Sequence, residues 1–190
     1  MGSVVLGIVA ALFVILVVVG GFIAIYNRLV ALRVETDGAW ADIDVQLKRR
    51  HDLIPNLVET AKGYAGHERE TLEAVTSART RAVQAQDATP QERAGAENAL
   101  SGALGKLFAL AESYPQLRAA EPFQELQRSL SEVEDGIQNA RRYYNATVRE
   151  LNTRVVQFPS NIVAGMASVR RREFFEIEVP EHREAPRVEF

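Results

Sequence analysis

An all-α fold, in which an N-terminal transmembrane helix continues into an antiparallel four-helix bundle, is predicted by three features of this sequence. Residues 1–27 contain no Asp, Glu, Lys or Arg, and the run from Val4 to Tyr26 is continuously apolar. Beyond it, apolar residues recur at alternating spacings of three and four, the mark of helices with one buried face. Gly and Pro then divide the remainder into helix-length segments, and strand-like alternation is absent until the C-terminal tail. The 190 residues suffice for one domain with an appendage. A formal net charge of -3 gives no electrostatic case for nucleic-acid binding. The lack of cysteine excludes disulfides, Cys-ligated zinc, iron–sulfur clusters and thiol catalysis.

The apolar run covers roughly 34 Å as a helix, enough for a hydrocarbon core of about 30 Å. Its rivals are a buried core helix and a cleaved signal peptide. The signal-peptide reading is weakened by the missing basic n-region and by an apolar run longer than the usual ~7 to 15 residues. Basic residues near a membrane end stay on the cytoplasmic side, and here Arg28, Arg33, Lys48, Arg49 and Arg50 all follow the span. This predicts a single pass in the cytoplasmic membrane, with a short N-terminus outside and a cytoplasmic body. The expected division is an anchor over 1–27, a four-helix bundle over 28–158, and a short helix with an extended tail over 159–190.

Within the bundle, the first helix carries the seam Trp40, Ile43, Leu47, Arg50, Ile54, Leu57, Ala61, Tyr64, with a bend expected at Pro55 and an end at Gly63 to Gly66. A second helix is expected over 67–86, with Leu72, Val75, Ala78, Ala82 and Val83 on its apolar stripe. Thr89, Pro90 and Glu92 form a capping-box signature that opens a third helix ending before Pro115. A fourth is expected from Pro122 to Phe158, where Pro159 stops it. Gly95, Gly102 and Gly105 inside the third helix suggest close approach of a neighbouring helix. After Pro159, Ile162, Val163, Met166 and Val169 recur at helical spacing and lead into Arg170, Arg171 and Arg172. The favoured reading of this segment is a cap over the open end of the bundle; the alternative rests it on anionic headgroups of the membrane.

The residues for a catalytic or metal centre do not assemble. None of the three histidines completes a Glu-x-x-His pair, and HExxH, GxGxxG and phosphate-loop patterns are missing. His67 with Glu68 and Glu70 reads as a solvated helix start, and no cofactor is expected. Arg50, on a buried seam, is expected to pair with an acid of the fourth helix or to snorkel outwards. Asn139, Tyr143, Tyr144, Asn145 and Asn152 give the fourth helix a polar, aromatic stripe, read as an interhelical hydrogen-bond network with an exposed binding face as the alternative.

Several segments together carry a recognisable likeness: the span followed by YNRLVALR, then VETDGAWADIDVQLKRRHDLIPNLVETAKGYAGHERETLEAVTSAR, then SLSEVEDGIQNARRYYNATVRELNTRVVQFPSNIVA, and a tail with REFFEIE and APRVEF. In these the chain resembles the LemA family of bacterial membrane proteins. The resemblance implies a membrane protein with a helical bundle, no established enzymatic activity, and no catalytic roles to carry over. It further implies indirect associations with membrane metallopeptidases and, in one branch, with magnetosome membranes. The positions that match the family pattern include Trp40, Arg50, Asp52, Pro55, Asn56, Tyr143, Tyr144, Asn145 and Asn152, with Phe158, Pro159, Ser160 and Asn161 after them. In RRHDLIPNL, Asp52 and Asn56 stand ready to satisfy backbone groups freed by Pro55, and Ser160 to cap the short helix after Pro159. The tail departs from the pattern at MASVRRREFF.

The expected role is a non-enzymatic membrane scaffold or interaction module of the bacterial envelope; the alternative is an accessory or sensor subunit of a membrane complex. Its expected partners are the lipid bilayer, other envelope proteins and, through Gly7 and Gly20/Gly21, a second copy of itself.

Overall fold

The computed structural model describes residues 2–176. Six helices account for most of them: α1 (Gly2–Ala65), α2 (Arg69–Gln84), α3 (Pro90–Glu112), α4 (Pro115–Ala119), α5 (Glu121–Val156) and α6 (Ser160–Met166). No strand occurs among the described residues. The extended tail expected within 159–190 continues past the described residues.

The chain divides into two compact units, and α1 and α5 contribute to both. Among the described residues, one comprises 2–40 and 143–172, the other 41–142 and 173–176.

In the first unit the two long helices run antiparallel, since Arg28 pairs with Glu150 while the Tyr143 hydroxyl donates to Glu35 at 3.0 Å. Leu29, Leu32, Leu151, Val163, Ala164 and Val169 form its core, with Ile25, Val155 and Ala167 packed against them. Helix α6 therefore caps this core with Val163 and Ala164. It ends in a Schellman motif: the Val169 amide bonds the Ala164 carbonyl at 3.0 Å, the Ser168 amide bonds Gly165 at 3.3 Å, and Ser168 holds the left-handed conformation with φ of 53°. The N-terminal part of α1 is not a core helix. Its large side chains from Val5 to Val19 are 49–72% exposed, an apolar cylinder with no protein around it.

In the second unit, residues of α1 (Ile54, Leu57, Ala61, Ala65), α2 (Leu72, Val75, Ala78, Ala82), α3 (Leu100, Leu104, Leu107, Ala111) and α5 (Phe123, Leu130) close around one core, with Leu117 of α4 completing it. Helix α3 starts as the sequence predicts. The Glu92 amide donates to Thr89 Oγ1 at 3.3 Å, and the Thr89 amide donates to Glu92 Oε2 at 3.1 Å.

Three expectations are corrected here. Tyr64 is 49% exposed, because Ala65 turns to the core in its place, and Val83 is 40% exposed beside the buried Ala82. A separate short helix, α4, fills what the pattern left as a connection: Pro115 starts it, and it exists to bury Leu117. The glycines of α3 do not mark a close approach, since a Cβ at Gly95, Gly102 or Gly105 would meet nothing within 4 Å. That approach occurs at Gly136 of α5, where a Cβ would lie 2.8 Å from Oε1 of Gln46. Helix α1 runs as one helix through Pro55.

Candidate functional site

Periodicity places Arg50 on the seam of α1, where the side chain is 4% exposed and must find partners. It reaches Glu97 Oε2 of α3 at 3.4 Å, donates to Ser101 Oγ at 2.6 Å and lies 3.3 Å from Glu134 of α5. The expected acid of the last long helix is thus present as Glu134, while the fully buried partner is Glu97. His51, next to Arg50 on α1, places Nε2 at 2.8 Å from the other carboxylate oxygen of Glu97. Arg93, one turn before Glu97 on α3, is buried and pairs with Asp44. Buried Arg50 and Arg93 thus pair with carboxylates of facing helices, of which Glu97 is fully buried and Asp44 and Glu134 are partly exposed.

Such a cluster costs desolvation and returns specificity of register. Arg50 and Glu97 are each held by more than one partner, so a slip of one turn between α1 and α3 would leave these charges buried without a counterion. Both oxygens of Glu97 are engaged, by Arg50 and His51. Sequence inspection singled out Arg50 and missed His51, Arg93, Glu97 and Ser101. A signal was present, because the α3 stripe 100, 104, 107, 111 extends backwards through Glu97 and Arg93 at the same three-and-four spacing.

Pro55 lacks an N–H, so the carbonyl of His51, four residues earlier, loses its helical donor. Arg79 of α2 supplies the replacement, its Nε donating to that carbonyl at 2.8 Å. Neither of the residues expected to serve does so. Asp52 is exposed and bonded to Lys48 at 2.5 Å, an arrangement that holds its carboxyl below the ordinary value; Asn56 is exposed, and its carbonyl accepts from Thr60 at 2.8 Å. The side chains lie on the outer side of α1, so a neighbouring helix answers for the proline.

The remaining singled-out residues gather in the first unit. The Trp40 and Tyr144 rings meet with centroids 5.1 Å apart and planes inclined by 55°. Tyr143 is half exposed and bonds Glu35, and Asn145 is half-buried on the same helix. Asn152 acts as a side-chain peptide mimic. Its Nδ2 donates to the Arg172 carbonyl and its Oδ1 accepts from the Arg172 amide, both at 2.8 Å. The Arg172 guanidinium in turn bonds Asp37 at 2.7 Å. The segment after α6 is therefore pinned to α5 and α1. Arg170 and Arg171 are exposed.

Around the Phe158–Pro159 step the expectation for Ser160 is corrected. No side chain caps α6; Ser160 Oγ turns back and lies 2.7 Å from the Arg154 carbonyl and 2.8 Å from that of Gln157, closing the end of α5. Pro159 holds the N-cap position, Asn161 Oδ1 accepts from the Ile162 amide at 3.0 Å, and Phe158 is 76% exposed.

The family model described as "LemA family" matches residues 39–190. This chain belongs to the LemA family. Curated relatives include Magnetosome protein MamQ 2 of Paramagnetospirillum magneticum, 29% identical over 80% of this chain and 64% of its own length. Magnetosome protein MamQ of Magnetospirillum gryphiswaldense is 25% identical over 79% of this chain and 64% of its own. Protein LemA of Metamycoplasma hominis is 28% identical over 73% and 63%, respectively. The chain spans somewhat under two thirds of the length of these relatives. The apolar segment of α1 is long and apolar enough to cross a membrane, so this LemA-family chain carries a candidate membrane helix.

Proposed function

We propose that this chain is a non-enzymatic, membrane-anchored interaction module: α1 holds it in the bacterial cytoplasmic membrane by a single uncleaved pass, and its two helical units engage other envelope proteins from the cytoplasmic side. The observation that carries this reading is the continuity of α1. One helix begins as an apolar surface without protein cover and proceeds, without a break, to supply core residues to both units. Lipid is the medium that removes such a surface from water. The buried Glu97 supports a structural role, because both of its oxygens are held by Arg50 and His51.

Orientation rests on the basic residues after the span, above all Arg28 and Arg33. The test exploits the absence of native cysteine. Lys106→Cys, at an exposed position of α3, is labelled with a membrane-impermeant maleimide in spheroplasts and in lysed cells. Labelling only after lysis is expected; labelling of intact spheroplasts overturns the orientation. In-cell photocrosslinking from exposed positions of α2 and α5 is expected to give adducts with other envelope proteins, and no adduct at any of them would count against an interaction module.

The same continuity favours a second reading, an accessory or sensor subunit in which α1 couples the membrane to the cores. Exchanging residues 1–27 for an unrelated span abolishes function under this reading and leaves a simple anchor working.

A further inference from the structure

Helix α6 (Ser160–Met166) carries no charged residue, and only part of it is used to cap the first unit. Val163 and Ala164 are buried against Leu29, Leu32 and Leu151. On the outside, Ile162 and Met166, one turn apart, are 56% and 70% exposed. Phe158 just before the helix is 76% exposed, and Val156 at the end of α5 is 59% exposed. Four large apolar side chains thus lie within eleven residues of one another, bare of protein, around a helix whose other face is packed.

The level at which this face stands relative to the span is fixed by its own core. Ile25, which packs against that core, belongs to the uncharged apolar run, and Leu29 lies one turn further along α1. Arg28, the first charged residue of the chain, sits between them. Helix α6 is therefore held beside the point at which the span gives way to polar sequence. Tyr26, 44% exposed at the same turn, is the amphipathic ring favoured at a membrane–water boundary. Past α6 the chain presents Arg170 and Arg171 to the outside, while Arg172 is taken by Asp37.

We infer that the outer face of α6, formed by Ile162 and Met166 and joined by the exposed Val156 and Phe158 that precede the helix, is a lipid-contact surface that sinks into the headgroup and upper acyl layer of the leaflet from which α1 emerges. A short uncharged helix with an apolar outer face, placed at that depth by a covalently continuous span, meets lipid before it meets water. This inference rests on the proposal that α1 spans the membrane. It adds that the chain grips the bilayer at a second place, so that the first unit is fixed in tilt and rotation and not merely tethered.

The test uses the full chain in lipid nanodiscs, with single cysteines at Met166 and Ile162, at Leu16 in the span and at Lys106 in the second unit, each carrying an environment-sensitive nitrobenzoxadiazole label. Lipids spin-labelled near the headgroup or deep in the acyl chain serve as quenchers. The expected result is blue-shifted emission at Met166 and Ile162 with at least twofold stronger quenching by the shallow spin label than by the deep one, deep quenching at Leu16, and solvent-like emission at Lys106. Solvent-like emission at Met166 and Ile162 with Leu16 still quenched would overturn the α6 inference and leave the anchor intact. Blue-shifted but unquenched labels would overturn it in favour of a protein cover, such as a second copy. No quenching at Leu16 would remove the spanning reading itself, and the inference with it.

Discussion

Glu97 is the residue on which the second unit turns, for its carboxylate is fully buried and holds both Arg50 and His51. Removing one member of a buried ionic group leaves the others desolvated and uncompensated. Glu97→Ala is expected to destabilise the chain by about 3–5 kcal/mol, measured by denaturant unfolding in detergent micelles. Glu134→Ala, whose side chain is 38% exposed, should cost far less, because water can replace it at Arg50. Arg79 gives a second residue-scale test. Arg79→Met keeps the aliphatic stem and removes the donor to the His51 carbonyl, at an expected cost of about 1–3 kcal/mol. In a background with Pro55→Ala, which restores the helical N–H, the same change should cost markedly less. Equal costs in both backgrounds would show that Arg79 does not serve the proline.

At the scale of elements, local backbone chemistry makes the forecasts. Ser168 is in the left-handed region with φ of 53°, a conformation that costs an L-residue roughly 1 kcal/mol. Ser168→Gly is expected to raise the melting temperature by relieving it. Gly102 is the opposite case: it sits exposed inside α3 with open space around its Cα, so Gly102→Ala should stabilise by about 0.5–1 kcal/mol. Gly136→Ala should not gain as much, since Gln46 must swing away to admit the methyl group. The α3 N-terminus supplies a pH dependence. Hydrogen bonds from the Thr89 amide and hydroxyl hold the Glu92 carboxyl below its ordinary value of 4.5. A carboxyl depressed in the folded state stabilises above its unfolded value and loses that contribution as pH falls through the folded one. Unfolding of α3 should therefore become easier in acid below about pH 4.5, and Glu92→Gln should flatten that part of the profile. Tyr114 behaves in the reverse sense. Its hydroxyl donates to Glu68 at 2.8 Å, which raises its pKa above 10.0, so the contact is kept below pH 10 and lost as the phenol ionises in stronger base.

For the molecule as a whole, the deciding quantity is the apolar surface that protein does not cover. It runs along α1 from Val5 to Val19 and recurs on the outer face of α6. Both parts belong to the unit formed by residues 2–40 and 143–172. Deleting residues 2–24 should turn a membrane-bound chain into one found in the soluble fraction or in aggregates. Adding Ile162→Asp and Met166→Asp to that deletion should shift it further towards the soluble fraction, as sedimentation after lysis would show. An unchanged distribution would mean that the face of α6 contributes nothing to membrane affinity.

Near neighbours along the chain fix the long uncharged run, the helical stripes, the capping box at Thr89 and Glu92, and the proline stops. Periodicity and caps are local properties, so they survive without knowledge of the fold. The tertiary structure decided which partner answers each local demand. Arg50 announced on its own seam that it needed a counterion, but only packing chose Glu97 of α3 beside Glu134 of α5. Pro55 announced an orphaned carbonyl, and the donor came from Arg79 on another helix, not from Asp52 or Asn56 nearby. Leu117, buried by a five-residue helix, and Gly136, which admits Gln46, were likewise invisible, because each depends on what lies across the core. Those pairings join residues far apart in the chain, and no spacing rule encodes them. The physical reason is that a helix can be specified by its own residues, whereas a buried polar group is specified by the desolvation it would suffer without the one neighbour that the fold brings to it.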